Sequence, residues 1–141
     1  MMTDKYAEDA DTIQRPPEPW YVDHLAGLAR GEFLLQRCDA CGRHSYPPSV
    51  RCPECFAPGK EMVPASGAAT VIGSTVVRSV VPTTVPPLPF GMCLVRLDEG
   101  PQVLARCLPA GHSVQPGSKV QLRVEPLDGL PGLPVVRVDE N

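Results

Sequence analysis

The segment from Cys38 to Cys55, CDACGRHSYPPSVRCPEC, decides how this chain folds. It contains two Cys-x-x-Cys pairs, Cys38 with Cys41 and Cys52 with Cys55, separated by ten residues. A two-residue gap lets both sulfurs of a pair face one ion, and four such sulfurs can surround zinc as a tetrahedron. The pattern therefore predicts a structural zinc ion bound by these four cysteines in a small ribbon.

Other chemistry at the same cysteines remains open from the pattern alone. Four thiolates also suit a rubredoxin-like iron site, and a Cys-x-x-Cys pair can act as a redox dithiol, although the βαβ context of thioredoxins is absent. Four cysteine ligands leave no open position for a water, which disfavours zinc-dependent hydrolysis. His44 lies between the pairs and is interpreted as a surface or neighbouring group rather than a ligand.

Three arginines, Arg37, Arg43 and Arg51, surround the cysteine pairs. Residues 30–60 carry five basic and three acidic side chains, an excess that four thiolates on one divalent ion would offset. The arginines have a second interpretation as ligands for the phosphates of a nucleotide-bearing cofactor, because the planar guanidinium suits phosphate. The sequence leaves both roles open.

Composition limits the class of protein. A chain of 141 residues has the size of one modest domain, and its 18 prolines argue against long helices while 43% hydrophobic residues supply a core. The net charge of −3, without a Lys/Arg-rich run, lacks the footprint of a duplex-binding protein. Neither a signal-peptide pattern nor a membrane-spanning run is visible, so we expect a cytoplasmic protein with reduced thiols.

Three regions are expected along the chain. Residues 1–19 are acidic and proline-rich and predict a flexible arm. Residues 20–60 predict a helix that Trp20 and Tyr21 anchor and Gly31 ends, followed by a strand over residues 33–37 and the zinc ribbon.

Residues 61–141 predict an OB-type barrel of five or six short antiparallel strands. The proline-rich segment from Pro82 to Pro89 is expected to be a loop, because prolines lack the amide donors of a central strand. The predicted strands span residues 61–65, 68–77, 90–97, 102–108, 119–124 and 134–138. The fold class is therefore mainly β.

The remaining reactive residues do not form a catalytic motif. Cys93 and Cys107 lie within apolar strand patterns and are expected in the core. His112 stands in a predicted exposed turn, and the Asp98-Glu99 pair ends a strand. We predict no active site in this chain.

The sequence resembles a family of acyl-CoA-associated proteins that join a rubredoxin-like zinc ribbon to an OB fold. The resemblance spans roughly residues 20–138, and the segments that carry it are Leu34–Gly42, Tyr46–Pro48, Cys52–Cys55, Ser66–Gly67 and Val95–Gly100. Two positions depart from the family pattern: Phe90 stands where many members have Tyr, and Met62 stands where an aromatic residue is common.

The resemblance implies a non-catalytic subunit that associates with a thiolase-fold enzyme, such as an acyl-CoA thiolase, an acyltransferase or a steroid side-chain aldolase. It also implies zinc on the four cysteines and a ribbon and helix that lie near the partner's acyl-CoA entrance. The phosphates that Arg37, Arg43 and Arg51 would contact are then those of CoA. Thiolase-fold partners are commonly dimers, so a heterotetramer is expected.

Two rival functions are kept. OB folds and zinc ribbons both bind single-stranded nucleic acid, but only seven aromatic residues are present and residues 61–141 sum to a charge of −1. A small metal-dependent hydrolase is the second rival, and the closed coordination sphere disfavours it.

Overall fold

A computed structural model describes residues 19–79, 88–109, 112–127 and 130–137. The predicted arm lies outside these residues up to position 18, and the predicted loop from Pro82 to Pro89 lies outside them up to position 87. The side chains of Trp20 and Tyr21 are also outside the described set, so their predicted anchoring role stays a prediction. Within the described residues, no helix has the length and hydropathy needed to span a membrane.

The single helix in the described chain, α1, spans Pro19–Ala29. Gly31 follows it with a φ of 82°, the left-handed region that glycine enters without strain. The amides of Gly31 and Glu32 then donate to the carbonyls of Leu28 (3.1 Å) and Gly27 (2.8 Å). These two bonds form a Schellman motif, which confirms Gly31 as the helix stop.

The ribbon is a three-stranded antiparallel sheet in the order β2-β1-β3. Its strands are β1 (Leu34–Cys38), β2 (His44–Ser45) and β3 (Lys60–Pro64). The prediction that residues 61–65 begin the barrel is wrong, because β3 pairs with β1 along its whole length. The buried strand β1 needs a partner on each edge, and β2 supplies only two residues on the other side.

The second sheet closes into a five-stranded barrel in the order β4-β5-β6-β8-β7, with β7 paired to β4. β6 and β8 are parallel and the other pairs are antiparallel, which is the arrangement of an OB fold. Its strands are β4 (Ala68–Val77), β5 (Phe90–Leu97), β6 (Gln102–Leu108), β7 (Lys119–Leu127) and β8 (Leu130–Arg137). The prediction of a mainly β chain with a helix, ribbon and barrel is confirmed.

Strand bounds match the prediction for β4, β5 and β6 and differ for the last two strands. β7 extends to Leu127 rather than ending at residue 124. β8 begins at Leu130 rather than 134, because pairing with β7 starts at Leu130 and continues from Leu133, while β6 pairs only from Val135 onward.

One hydrophobic core serves both sheets. Phe33, just before β1, and Leu35 within it belong to the same buried cluster as barrel residues such as Val71, Val95 and Val136. The helix also lies directly on the barrel: a Cβ on Gly132 of β8 would come within 2.2 Å of the Leu28 carbonyl oxygen. The ribbon and helix are therefore packed onto the barrel rather than tethered to it.

Candidate metal centre

The four cysteines of the two predicted pairs lie together at one end of the ribbon. Their sulfur atoms are all within 4.8 Å of one another. The Sγ atoms of Cys38 and Cys55 are 3.5 Å apart, and those of Cys41 and Cys52 are 3.7 Å apart. A zinc tetrahedron with Zn–S bonds of about 2.3 Å requires about 3.8 Å between sulfurs. The donor set and its spacing therefore fit one tetrahedral ion.

The two cysteine turns have the same backbone hydrogen bonds. In the first turn the amide of Gly42 donates to the carbonyl of Cys38 (3.0 Å), and in the second the amide of Phe56 donates to the carbonyl of Cys52 (2.9 Å). Gly42 and Phe56 are both left-handed, with φ values of 75° and 62°. The two cysteine turns therefore have the same backbone conformation and hydrogen bonding.

Backbone amides also face the sulfurs. The amide of Cys41 donates to Sγ of Cys38 and the amide of Glu54 donates to Sγ of Cys52, each over 3.4 Å. The bond from Cys41, reinforced by the amide of Ala40, lowers the pKa of Cys38 to about 6, and amides of Cys55 and Glu54 lower the pKa of Cys52. One cysteine of each turn is therefore prepared as a thiolate, the form that binds metal.

A buried amide holds the loop that leads to the second turn. Gln36 of β1 is 1% exposed, and its Oε1 accepts a hydrogen bond from the Ser49 amide (2.8 Å) while its Nε2 donates to Ser49 Oγ (3.4 Å). The Lys60 ammonium donates to the carbonyls of Ser49 and of Val50, the latter over 3.1 Å. The sequence predicted no role for Gln36 or Lys60. A glutamine within an otherwise apolar strand could have indicated that Gln36 makes a buried hydrogen bond.

An aromatic cluster joins α1 to the ribbon. The ring of His24, which is 4% exposed, lies 5.6 Å from Phe33 and 5.4 Å from Tyr46 between ring centroids. Phe33 and Tyr46 are themselves 4.9 Å apart. Burial lowers the pKa of His24, so this histidine favours the neutral form. The Tyr-Pro-Pro segment thus includes a packing residue, which sequence reasoning did not connect to His24.

Two segments of the family resemblance meet where the ribbon joins the barrel. The carboxylate of Glu99 accepts hydrogen bonds from the Ser66 amide (2.7 Å) and the Ser66 hydroxyl (3.4 Å). The Gln121 amide group donates to the Ser66 carbonyl over 2.8 Å. Gly67 has a φ of 88°, and a Cβ there would come within 2.5 Å of the Leu122 carbonyl oxygen. The Asp98-Glu99 turn therefore positions the connection between sheets.

The predicted phosphate-binding arginines have different surroundings. Arg43 pairs with Glu54 at 3.2 Å, and Arg51 donates to the Phe56 carbonyl over 3.0 Å. Arg37 is exposed on β1. CoA binding by these three residues stays a prediction. Among the described residues, the side chains close enough to share a metal ion are the four cysteines, and His44 is not one of them.

The other cysteines lie in the barrel, as predicted. Cys93 is 1% exposed and Cys107 is fully buried, on neighbouring strands β5 and β6. A hydrogen bond between the two thiols raises the pKa of Cys93 and lowers that of Cys107. His112 is exposed, also as predicted.

The outer face of β5 and β6 is apolar at its centre. Leu94 stands opposite Leu104, which is 60% exposed. Phe90, where the family often has Tyr, is 9% exposed, and the Arg106 guanidinium lies 4.7 Å from its ring centroid. OB folds that bind nucleic acid use this face, and the described part of it offers no exposed aromatic ring for base stacking.

Known proteins match the chain in both parts. Residues 25–61 match the model of the ChsH2 rubredoxin-like zinc ribbon domain, and residues 62–125 match that of the ChsH2 C-terminal OB-fold domain. Among curated proteins, no sequence matches.

Two solved structures share the fold. A structure described as an Ltp2-ChsH2 (DUF35) aldolase has a TM-score of 0.74 and 24% identity, covering 88% of this chain and 98% of its own. A DUF35 protein of unknown function from Sulfolobus solfataricus has a TM-score of 0.63 and 20% identity, covering 99% of this chain and 98% of its own.

Proposed function

The chain belongs to the ChsH2 family of zinc-ribbon and OB-fold proteins, and from this premise we propose that it is a non-catalytic subunit of a thiolase-superfamily enzyme. In this role it associates with an acyl-CoA thiolase, acyltransferase or steroid side-chain aldolase and supports the partner's acyl-CoA site. The observation that carries the proposal is the consecutive match of both domains to the ChsH2 models, and the shared fold with the structure described as an Ltp2-ChsH2 (DUF35) aldolase supports it.

The metal has a structural role in this proposal. Zinc would be held by Cys38, Cys41, Cys52 and Cys55 and would cross-link the two turns. It would carry no reactive water, because four sulfurs complete its coordination. The amides of Cys41 and Glu54 orient the sulfurs toward the ion. The ribbon therefore serves to present a fixed surface.

Contact with CoA is a finer part of the proposal. Arg37 is the best placed of the three arginines, since it is exposed while Arg43 and Arg51 already bind groups within the ribbon. Arg37 would contact a CoA phosphate bound jointly with the partner. Arg37→Gln should then raise the KM of the complex for acyl-CoA without changing the affinity between the two proteins.

Co-expression with a thiolase-fold protein from the same source organism tests the central claim. We expect the two to elute together from size exclusion as a hetero-oligomer and the partner's kcat/KM for acyl-CoA to fall when this chain is left out. Separate elution with unchanged activity would contradict the proposal.

The same preparation tests the non-catalytic assignment. The isolated, zinc-loaded chain is incubated with the acyl-CoA substrates that the complex turns over, and we expect no product. Turnover by the isolated chain would make it an enzyme in its own right.

A further inference from the structure

The two cysteine turns differ at one position that matters for the backbone. Gly42 and Phe56 occupy equivalent left-handed positions after their cysteine pairs. Left-handed backbone is unfavourable for residues with a Cβ, and a bulky side chain is rarely found there. Glycine is the residue expected at both positions, so the phenylalanine is an exception within the molecule's own repeat.

Burial among the described residues does not account for the phenylalanine at this position. The side chain of Phe56 is 69% exposed, and that of Val50, in the loop before the second turn, is 64% exposed. An exposed ring gains little from its own fold, and at this position it also strains the backbone. Within the part of the chain that the structure describes, burial of the Phe56 ring therefore does not offset the cost of its left-handed backbone.

The loop that carries both side chains is held firmly. Arg51 bonds the Phe56 carbonyl over 3.0 Å, and Ser49 Oγ donates to the Arg51 carbonyl over 2.6 Å. The Cys52 amide donates to the Ala57 carbonyl over 3.0 Å, and Lys60 bonds the Val50 carbonyl. The exposed apolar groups are thus pre-organised, which reduces the entropy lost on binding.

The surrounding charges favour a protein pocket over an anionic surface. Arg51 and Lys60 are directed at backbone carbonyls, and Arg43 is paired with Glu54. With a divalent ion bound, the four thiolates would leave a charge of −2, which offsets the excess of two basic side chains in residues 30–60. The ribbon would therefore present no basic excess for a nucleic acid or an acidic membrane, whereas an apolar pocket with a neutral rim matches the surface.

We propose that Phe56, together with the exposed Val50 of the same loop, is the anchor by which the ribbon docks into an apolar pocket on the partner enzyme. This inference rests on the proposed function and names the residues that carry the association. Aromatic residues, Phe among them, are enriched at protein interfaces, and a few well-packed anchors carry most of the binding energy there.

Phe56→Gly provides an unusual test, because glycine accepts the backbone conformation that phenylalanine strains. We expect the variant to bind the partner about 30-fold more weakly in isothermal titration calorimetry, as for a typical interface anchor. Its zinc should leave to a chromogenic chelator no faster than from the wild type. Phe56→Tyr should bind within about threefold of wild type, since the ring is kept.

Leu104→Ala is the matched control, since this leucine is similarly exposed but lies on the barrel. We expect it to bind like the wild type. Equal binding by Phe56→Gly and wild type would overturn the inference while leaving the proposed function intact. Faster zinc loss from Phe56→Gly would make Phe56 a structural residue and would also overturn it.

Two other binding partners for the Phe56 side chain would give different experimental results. Sedimentation equilibrium that shows self-association of the wild type but not of Phe56→Gly would assign the anchor to a second copy and overturn the partner assignment. Binding to phosphatidylglycerol vesicles that depends on Phe56 would do the same. If the wild type binds no thiolase-fold partner at all, the proposed function fails first, and this inference fails with it.

Discussion

Loss of the metal should weaken the barrel as well as the ribbon. Cys52→Ser removes one of the four sulfurs, and folding of small zinc modules depends on the metal. Two side chains of the ribbon lie in the same core as the barrel residues. Leu35 of β1 is fully buried, and Phe33, just before β1, is 6% exposed. Burial of a large apolar side chain contributes about 1.5–3 kcal/mol, so exposing both costs about 3–6 kcal/mol.

This loss is large beside the total stability of a domain, about 5–15 kcal/mol. Hydrogen exchange followed by mass spectrometry measures it, because exchange free energies can be read separately for peptides of β5 and of the ribbon. We expect Cys52→Ser to remove protection from the ribbon and to lower the exchange free energy in β5 by about 3–6 kcal/mol. Chelation of zinc from the wild type should reproduce the effect, which separates metal loss from the serine itself.

The result that would refute this prediction is an unchanged barrel after loss of the metal. If β5 keeps its exchange free energy to within about 1 kcal/mol while the ribbon loses its protection, the ribbon and barrel are independent units, as a boundary at residue 60 would imply. The shared core would then contribute nothing to the barrel's stability, and the reasoning would be refuted.

Three smaller perturbations test other contacts. Gln36→Leu leaves the Ser49 amide without its 2.8 Å acceptor and should lower the free energy of unfolding by about 1–3 kcal/mol in urea titration; an unchanged midpoint would contradict the role of this amide. Glu99→Ala removes the exposed bonds to Ser66 and should cost about 1 kcal/mol in the same assay, whereas Asp98→Ala should not. His24 has a lowered pKa, so the unfolded chain binds more protons, and stability should fall as pH drops below about 6.5; thermal melts of His24→Phe should lack this component.

The sequence was most informative where structure depends on local spacing. The two Cys-x-x-Cys pairs predict the sulfur cluster because each turn is short and its geometry is set within five residues. The bounds of β5 and β6 were predicted from short β-branched segments separated by turn residues, and burial alternates along much of each strand. Gly31 was a reliable stop because few other residues accept its φ of 82°.

Features that depend on distant partners were missed. The residues of β3 could serve either sheet, and only the need of β1 for a second neighbour assigns them to the ribbon. His24 and Gln36 are polar, and their burial follows from partners at Tyr46 and Ser49 that no spacing rule connects to them. The left-handed conformation of Phe56 was hidden for a different reason, since its residue type argues against it.

The contacts between the ribbon and barrel affect how a docked ribbon would act. Leu35 in the shared core, the Glu99 carboxylate on Ser66 and the close approach of Leu28 to Gly132 restrain the ribbon at three separate places. A partner that binds the ribbon tip at Phe56 therefore fixes the orientation of the barrel as well. Glu99→Ala, which loosens one restraint without touching the tip, should leave affinity for the partner unchanged but reduce the barrel's effect on the partner's KM for acyl-CoA. If Glu99→Ala weakened binding to the partner as well as the effect on its KM, the Glu99 contact would belong to the docking surface itself.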